Sequence, residues 1–512
     1  MSDIVVRKIN ESFVKVTTDD IGIDFEIDEY FAFRAKGFQF VPAFKHKKWD
    51  GYTRLFNKFS KTLYKGLLPH LKIFAEQNNY SFETTFDENI EVKYSKEKIT
   101  EFCRSLEPLD ENGDLLVHDE PQLNAIYDAI NFKNKLVLSP TASGKSLIIY
   151  SILRWFQQFD KKQIIIVPTI ALVHQMYSDF AEYSASSDWD AESNLHKIFS
   201  GQEKDTDKPI VITTWQSVFK LSENYFKPYD VVLCDEVHSA QAKSIRGIME
   251  RLTNADVRVG LTGTLGSSKT HHLILEGLFG KATKYQTSAK MMEIGRAAKL
   301  KINTIEVEYS DEDKDKLNIR YVDSEGKKRS RKMTYAEEVK FVETHEKRNN
   351  IIKNIVIANI NKDKNVLVLC NHLSHGQVLN DMIKEFREKD IFFLSQKTSS
   401  EEKERIRKYV NENKGCVIIA TYKLYSTGIN IKNLHALVFA AFSKSEIRIL
   451  QSIGRVLRKT SIKLTATLYD LTDDFRPTGK KKWTNYSLKH YLERLKIYNK
   501  EKFEYYIYKM KI

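Results

Sequence analysis

The chain has 512 residues, a formal net charge of +13 and a hydrophobic share of 42%. That length exceeds one compact domain and suggests about three at ~150 residues each, and the hydrophobic share is too high for a disordered polymer. No run approaches the ~18 apolar residues of a membrane span, the acid-bearing start MSDIVVRKINESF is no signal peptide, and Cys103, Cys234, Cys370 and Cys416 form no C-x-x-C pair, which excludes a zinc site and a disulfide framework.

The first ~105 residues are aromatic-rich and lack a clear strand–helix alternation, so we read residues 1–105 as a small α+β domain. Within them, Lys36 to Lys72 carries nine basic residues against one acid, Asp50, with aromatics interleaved. Most of those aromatics read as core, and Trp49 reads equally as structural or stacking. The lopsided charge points to duplex DNA, with Lys45, Lys47, Lys48 and Arg54 as phosphate contacts. SLEPLDENGDLL, Ser105 to Leu116, reads as a linker.

From Lys135 onward, β-branched runs alternate with amphipathic stretches. KLVLS, QIIIVP, IVITT, VVLCDE and RVGLT read as buried strands of a parallel sheet covered by helices on both faces. A second series follows: NVLVLC, IFFLS, GCVIIAT, LHALVFAAF and LTATLYDL. The expectation is two tandem α/β domains, residues 106–300 and 301–478. The charged stretch from Tyr309 to Thr334 reads as an exposed loop or hairpin near their junction. Residues 479–512 carry ten Lys/Arg against three Glu and read as a basic helix packed on the second α/β domain.

The strand KLVLS runs into SPTASGKS and then into a helix. This is the setting of a phosphate-binding loop, although Ser139 stands where the pattern G-x-x-x-x-G-K-[ST] has glycine. Lys145 would reach the β- and γ-phosphates of ATP and Ser146 would hold Mg²⁺, with Thr141, Ser143 and Gly144 lining the turn. About ninety residues on, VVLCDEVH ends a strand in two acids. Asp235 would hold Mg²⁺, Glu236 would activate water, and His238 would sense the state of the site. In QSIGRVLR, Gln451, Arg455 and Arg458 share one helix face, which makes the two arginines candidate fingers supplied from the second domain.

These motifs, with Thr262-Gly263-Thr264 and STGIN at 426–430, stand in the order of the superfamily 2 DExH helicases, which the chain resembles. WDGYTRL, TTWQSV, HLSHGQ and YSTGINIKNLH extend the likeness over nearly the whole chain, toward the phage helicases of that superfamily. The resemblance implies two tandem RecA-like motor domains with the N-terminal domain and a C-terminal helical extension. It makes Gln122 the adenine-reading glutamine, Thr262 and Thr264 the coupling segment, and Thr427 and Gly428 a contact to both nucleotide and strand. It places Pro168, Thr169, Thr214, Trp215, Asn371, His372 and Thr421 along a gripped DNA strand. It further implies an ATP- and Mg²⁺-dependent motor acting on forks, D-loops, R-loops and four-way junctions in phage recombination, repair and replication control. Its partners would be branched and duplex DNA, RNA–DNA hybrids, and phage recombination and single-strand-binding proteins. It would be a monomer when free, in the host cytoplasm and away from membranes. A duplex translocase that does not separate strands and an RNA helicase remain alternatives.

Overall fold

IVVRK and FVKVTT alternate inward apolar with outward polar residues, and they pair as the antiparallel strands β1 (Ile4–Lys8) and β2 (Phe13–Thr18). A separate hairpin of β3 (Ala32–Arg34) and β4 (Tyr52–Arg54) follows. Strands β5 (Thr62–Tyr64) and β6 (Phe82–Thr84) then complete a four-stranded sheet of order β5-β2-β1-β6. The computed structural model describes residues 2–35, 37–87, 92–239, 242–265, 268–322, 327–426, 431–457, 463–476 and 484–512. The chain divides into two compact units, Met1–Gln286 and Thr287–Ile512.

The rest of the first unit is built on seven strands, the central ones apolar and buried on both faces. These are β7 (Asn134–Leu138), β8 (Gln163–Val167), β9 (Leu195–Ile198), β10 (Ile210–Thr214), β11 (Val231–Cys234), β12 (Val257–Thr262) and β13 (Ala282–Lys284). They form one parallel sheet of order β13-β7-β12-β11-β8-β10-β9. Alternate residues face opposite cores. Val137, Ile165 and Leu233 pack with the helix Lys145–Gln157 and with Ile99 and Cys103 of the helix Lys96–Ser105. Leu136, Ile164 and Val232 share a core that continues into Val6, Val16, Leu63 and Phe74 of the N-terminal sheet and its helices.

The second unit is built on another seven-stranded sheet. β14 (Lys299–Glu308) is followed by an antiparallel hairpin of β15 (Asn318–Val322) and β16 (Lys328–Lys332), within the charged stretch that the sequence assigns to a loop or hairpin. β17 (Val366–Cys370), β18 (Ile391–Phe393), β19 (Val417–Thr421), β20 (Ala436–Phe439), β21 (Thr465–Asp474) and β22 (Tyr505–Lys511) join β14 in a second seven-stranded parallel sheet, of order β18-β19-β17-β20-β21-β14-β22.

The C-terminal extension is a helix, Tyr486–Lys500, followed by β22, which the sequence reading does not anticipate. The carboxylate of Glu338 accepts from the backbone N–H groups of Tyr486 and Ser487 and from the Asn485 amide, which fixes the start of this helix. Arg494 is buried rather than on a basic outer face. It donates to Asp470 at 2.8 Å and to the Ser443 carbonyl at 3.1 Å. Among the described residues, no helix is long and apolar enough to cross a membrane.

The N-terminal domain is bound to the first motor sheet by polar contacts as well as by the shared core. Buried Arg258 of β12 donates to Ser12 Oγ at 2.8 Å, and Ser12 Oγ donates to the Met249 carbonyl at 2.8 Å. At Gly66 the two parts touch backbone to backbone: a Cβ there would lie 2.1 Å from the Glu276 carbonyl oxygen. A Cβ on Gly277, in the helix Lys269–Phe279, would lie 2.9 Å from Tyr64 Cβ. Helix propensity alone favours alanine over glycine by ~0.5–1 kcal/mol. The contact reverses that sign, so Gly277→Ala should destabilise the protein by ~1–3 kcal/mol in thermal melts. Gly247→Ala, in the helix Ala242–Arg251 and with only the tip of Arg251 near its Cβ position at 3.6 Å, should stabilise it by ~0.5–1 kcal/mol.

Candidate functional site

The phosphate-loop segment joins the end of β7 to the helix Lys145–Gln157. The loop needs left-handed backbone at Ala142 (φ 69°) and Gly144 (φ 76°). Gly144 is the N-cap of the helix and gives it no side-chain cap, which leaves the helix N-terminus to an anion. Ser139, standing for the usual glycine, donates its hydroxyl to Ser143 Oγ at 2.7 Å, and its N–H donates to the Thr262 carbonyl at 3.0 Å. The side chain is therefore folded into the loop. Lys145 Nζ lies 3.4 Å from the Ser139 and Pro140 carbonyls and 3.5 Å from Glu236 Oε1.

Gln122 supports this loop from behind. It closes a capping box on the helix Glu120–Phe132: the Asp119 N–H donates to its Oε1 at 2.8 Å, and its own N–H donates to Asp119 Oδ1 at 2.7 Å. Its Nε2 then donates to the Ser143 carbonyl at 2.9 Å. That same Nε2 lies 2.4 Å from where a Cβ on residue 144 would sit. Any side chain at 144 would be strained by φ and would have to push the Gln122 amide off the Ser143 carbonyl.

The acid pair extends from β11. The Asp235 N–H continues the sheet ladder onto the Ile166 carbonyl at 3.0 Å, and Glu236 turns away with φ 48°. Burial, with the neighbouring Glu236 charge adding to it, pushes the Asp235 carboxyl up to about 7. Two adjacent carboxylates with few compensating donors fit a divalent cation, which would discharge both.

A chain of polar contacts leads away from this pair. Glu236 Oε2 is 3.1 Å from His238 Nδ1, which lies 2.6 Å from Thr262 Oγ1. Thr262 Oγ1 donates to the Thr264 carbonyl at 2.9 Å. Since that bond uses the hydroxyl hydrogen, the proton between His238 and Thr262 belongs on Nδ1. The SPTASGKS loop, the acid pair and the Thr262–Thr264 segment are therefore one connected polar system within the first unit.

A cavity of about 600 Å³ gathers several residues that the resemblance assigns to a DNA strand: Pro168, Thr169 and Thr214, with Gln216. Gln216 Nε2 donates to the Pro168 carbonyl at 3.2 Å. Gln202 and Lys204 line it too and were not singled out from sequence. The available signal was position: GQEK follows β9 at the C-terminal edge of a parallel sheet, where ligands bind. Trp215 instead packs beside the shared core, its ring 6.2 Å from that of Phe219.

In the N-terminal domain, Lys45, Lys47 and Lys48 are exposed and make no ion pair with any described residue. Arg54 is already engaged, with Asp50 at 2.6 Å and Asp28 at 3.1 Å. Trp49 has a structural bond: its Nε1 donates to the Tyr52 carbonyl at 2.7 Å.

In the second unit, Thr421 ends β19 beside Cys370 of β17, so Thr421 and Asn371 follow neighbouring strand ends. Asn371 donates to the Phe442 carbonyl at 3.3 Å, and exposed His372 lies 2.9 Å from Glu343. Gln451 and Arg455 lie on the helix Glu446–Val456, with the Arg455 guanidinium 5.0 Å over the Tyr425 ring. Thr427, Gly428 and Arg458 lie outside the described residues.

Comparisons with known proteins agree with this architecture. Residues 3–85 match the family model "DNA helicase UvsW, N-terminal", 90–267 match "Type III restriction enzyme, res subunit", and 346–460 match "Helicase conserved C-terminal domain". The chain is 35% identical, over 98% of each sequence, to the ATP-dependent DNA helicase uvsW of Enterobacteria phage T4. The crystal structure of T4 UvsW matches over 99% of both chains with a TM-score of 0.52 and 33% identity. The fold also recurs, at 13% identity and a TM-score of 0.55, in the DNA-bound Type ISP restriction-modification enzyme LlaBIII, over 79% of this chain and 32% of that one.

The raised Asp235 carboxyl makes a pH prediction. Between the usual value of 3.8 and about 7 the folded state holds a proton that the unfolded chain releases. Stability from this group is therefore present at low pH and lost as pH rises toward 7. Asp235→Asn should stabilise the nucleotide-free protein at pH 8, on the order of 2 kcal/mol, and change it little near pH 4. Melting temperatures of both forms across that range check the sign.

Proposed function

The chain belongs to the UvsW family of phage ATP-dependent DNA helicases, and from that membership we propose that it drives branched DNA through ATP hydrolysis at the Lys145–Asp235–Glu236 site. Forks, D-loops, R-loops and four-way junctions are the substrates we assign to it, in phage recombination, repair and replication control within the host cytoplasm. Branched and duplex DNA, RNA–DNA hybrids, and phage recombination and single-strand-binding proteins are the partners proposed with them. The observation that carries the reading is the polar chain from Lys145 through Glu236 and His238 to Thr262 and Thr264.

In this reading the uncapped N-terminus of the helix Lys145–Gln157 receives the phosphates, and Lys145 leaves the Ser139 and Pro140 carbonyls to meet them. Mg²⁺, held by Ser146 and Asp235, would neutralise phosphate charge. Glu236 orients and deprotonates the attacking water. As Glu236 changes partners, its contact with His238 changes, and Thr262 receives that change through the His238 proton. Thr262 lies on β12 directly before the Gly263-Thr264 turn, so a change of charge at the phosphates becomes a shift of backbone.

Gln122 has two roles in this account. It props the phosphate loop through Ser143 and faces the base with the remaining Nε2 hydrogen. Gln451, Arg455 and Arg458 are the groups that the second motor domain adds when hydrolysis occurs, and Thr427 and Gly428 touch nucleotide and strand. The DNA strand runs over Pro168, Thr169 and Thr214 in one domain, with Trp215 as the packed support behind them, and over Asn371, His372 and Thr421 in the other. Lys45, Lys47, Lys48 and Arg54 meet the duplex ahead of them. Phosphate-borne binding of this kind weakens steeply with salt. We assign the domains as 1–105, 106–300, 301–478 and 479–512, with a monomer as the free form.

Lys145→Ala should reduce DNA-stimulated phosphate release at least a hundredfold and leave fork binding within about threefold, as measured by coupled ATPase assay and fluorescence anisotropy. ATP turnover unchanged by that substitution would remove the site assignment. A panel of fork, four-way junction, R-loop and plain duplex should show strand separation on the branched substrates. Translocation on duplex without separation would favour a pump instead.

A further inference from the structure

A second cavity, of about 490 Å³, lies inside the first unit where the N-terminal domain meets the helix Ala242–Arg251. Its size is within the ~300–1,000 Å³ of small-molecule sites. Arg54, Lys58, Phe59 and Asp28 line it from one side, Arg246 and Glu250 from the other.

Two features of this cavity point to a ligand. The first is Asp28, which is 6% exposed and whose Oδ1 has no hydrogen-bond partner. Its Oδ2 is engaged by Arg54 at 3.1 Å, with Lys58 at 3.7 Å. Glu250, the other acid, is satisfied by the Tyr64 hydroxyl at 2.6 Å and by Arg246 at 2.8 Å. A buried carboxylate oxygen without a donor is costly, and a ligand N–H would remove that cost.

The second feature is Phe59, which is 91% exposed. It sits at the tip of a tight turn closed by reciprocal backbone bonds between Asn57 and Thr62, at 2.9 and 3.1 Å. Asn57 Oδ1 accepts from the N–H groups of Phe59 and Ser60, at 3.1 and 3.2 Å. The ring is therefore held out on a rigid support. Lys58 Nζ lies 5.8 Å over that ring and 4.7 Å over the exposed ring of Phe25.

A simple anion would meet the Asp28 charge, and a simple cation would meet Arg54, Lys58 and Arg246. One ligand class uses the carboxylate oxygen, the exposed ring and the cations together: a flat ring with N–H donors joined to a phosphate. We propose that this cavity takes one unpaired nucleotide of a DNA strand, its base stacked on Phe59 with an N–H toward Asp28 Oδ1, and its phosphate on Lys58 and Arg246. Sequence-tolerant stacking on an exposed aromatic beside cations is how proteins hold single strands. The site deepens the branched-DNA reading above and rests on it. It would keep one displaced base out of the stack at a junction, on a part of the protein fixed to the first motor sheet.

The test uses the full-length protein and forked DNA carrying 2-aminopurine at the first unpaired position. Unaltered protein should raise its fluorescence several-fold on binding. Phe59→Ala, which removes a side chain too exposed to support the fold, should lose at least half of that rise. Replacing the same nucleotide by an abasic one should weaken fork binding several-fold for unaltered protein and little for Phe59→Ala. An equal fluorescence rise in both proteins, or no abasic effect, overturns the proposal. Loss of the signal on adding micromolar dAMP would make this a site for a free nucleotide and also overturn it. DNA-stimulated ATP turnover of unaltered protein is measured alongside. If it is present without the fluorescence rise, the cavity proposal alone fails; if it is absent, the helicase reading fails.

Discussion

Two carboxylates side by side at the end of a buried strand cannot both stay ionised cheaply, and the first motor domain is organised around that conflict. Asp235 is pushed toward the protonated form by burial and by Glu236. Lys145 stands 3.5 Å from Glu236, and His238 stands 3.1 Å from its other oxygen. Without nucleotide, Lys145 and His238 are the neighbours of the acid pair. A triphosphate and a divalent cation would draw Lys145 away and discharge Asp235 together. Glu236 would then be left with His238, and through it with Thr262. In the proposed reading, the same charges would give a path from the nucleotide to Thr262 and Thr264.

That path needs a stiff frame, and the N-terminal domain is part of it. The core on one face of the first motor sheet continues into the N-terminal sheet. Backbone meets backbone at Gly66, and buried Arg258 bonds Ser12. The helix Lys269–Phe279, which carries Gly277, follows closely on the Thr262–Thr264 segment. Whatever this domain holds is therefore carried on the same packed frame as Thr262 and Thr264. Its exposed lysines 45, 47 and 48 and the Phe59 turn are carried on that frame.

The sequence made the motor legible because its chemistry is local. The loop SPTASGKS lies between a strand and a helix, and DEVH closes a strand. Such residues do their work within a few positions of one another, so spacing reports function. The tandem parallel sheets were legible for a similar reason: strands buried on both faces are apolar throughout. What was hidden depended on distant partners. Arg494 reads as part of a basic helix, but Asp470, twenty-four residues earlier, draws it inside. Gln122 props Ser143 across twenty-one residues. Strand β22 alternates few polar residues and is half exposed, so its pairing with β14 left no periodic signal. Phe59 is one of many aromatics in its stretch, and only the turn around it distinguishes it from the core.

The central claim is that nucleotide binding discharges the Asp235–Glu236 pair. Calorimetry in buffers of different ionisation enthalpy counts the protons released when the magnesium complex of a non-hydrolysable ATP analogue binds unaltered protein. The account predicts net proton release near pH 6.5 that fades by pH 8.5 and is absent when Asp235→Asn is added. Binding with no proton release at either pH, or equal release without Asp235, would contradict it.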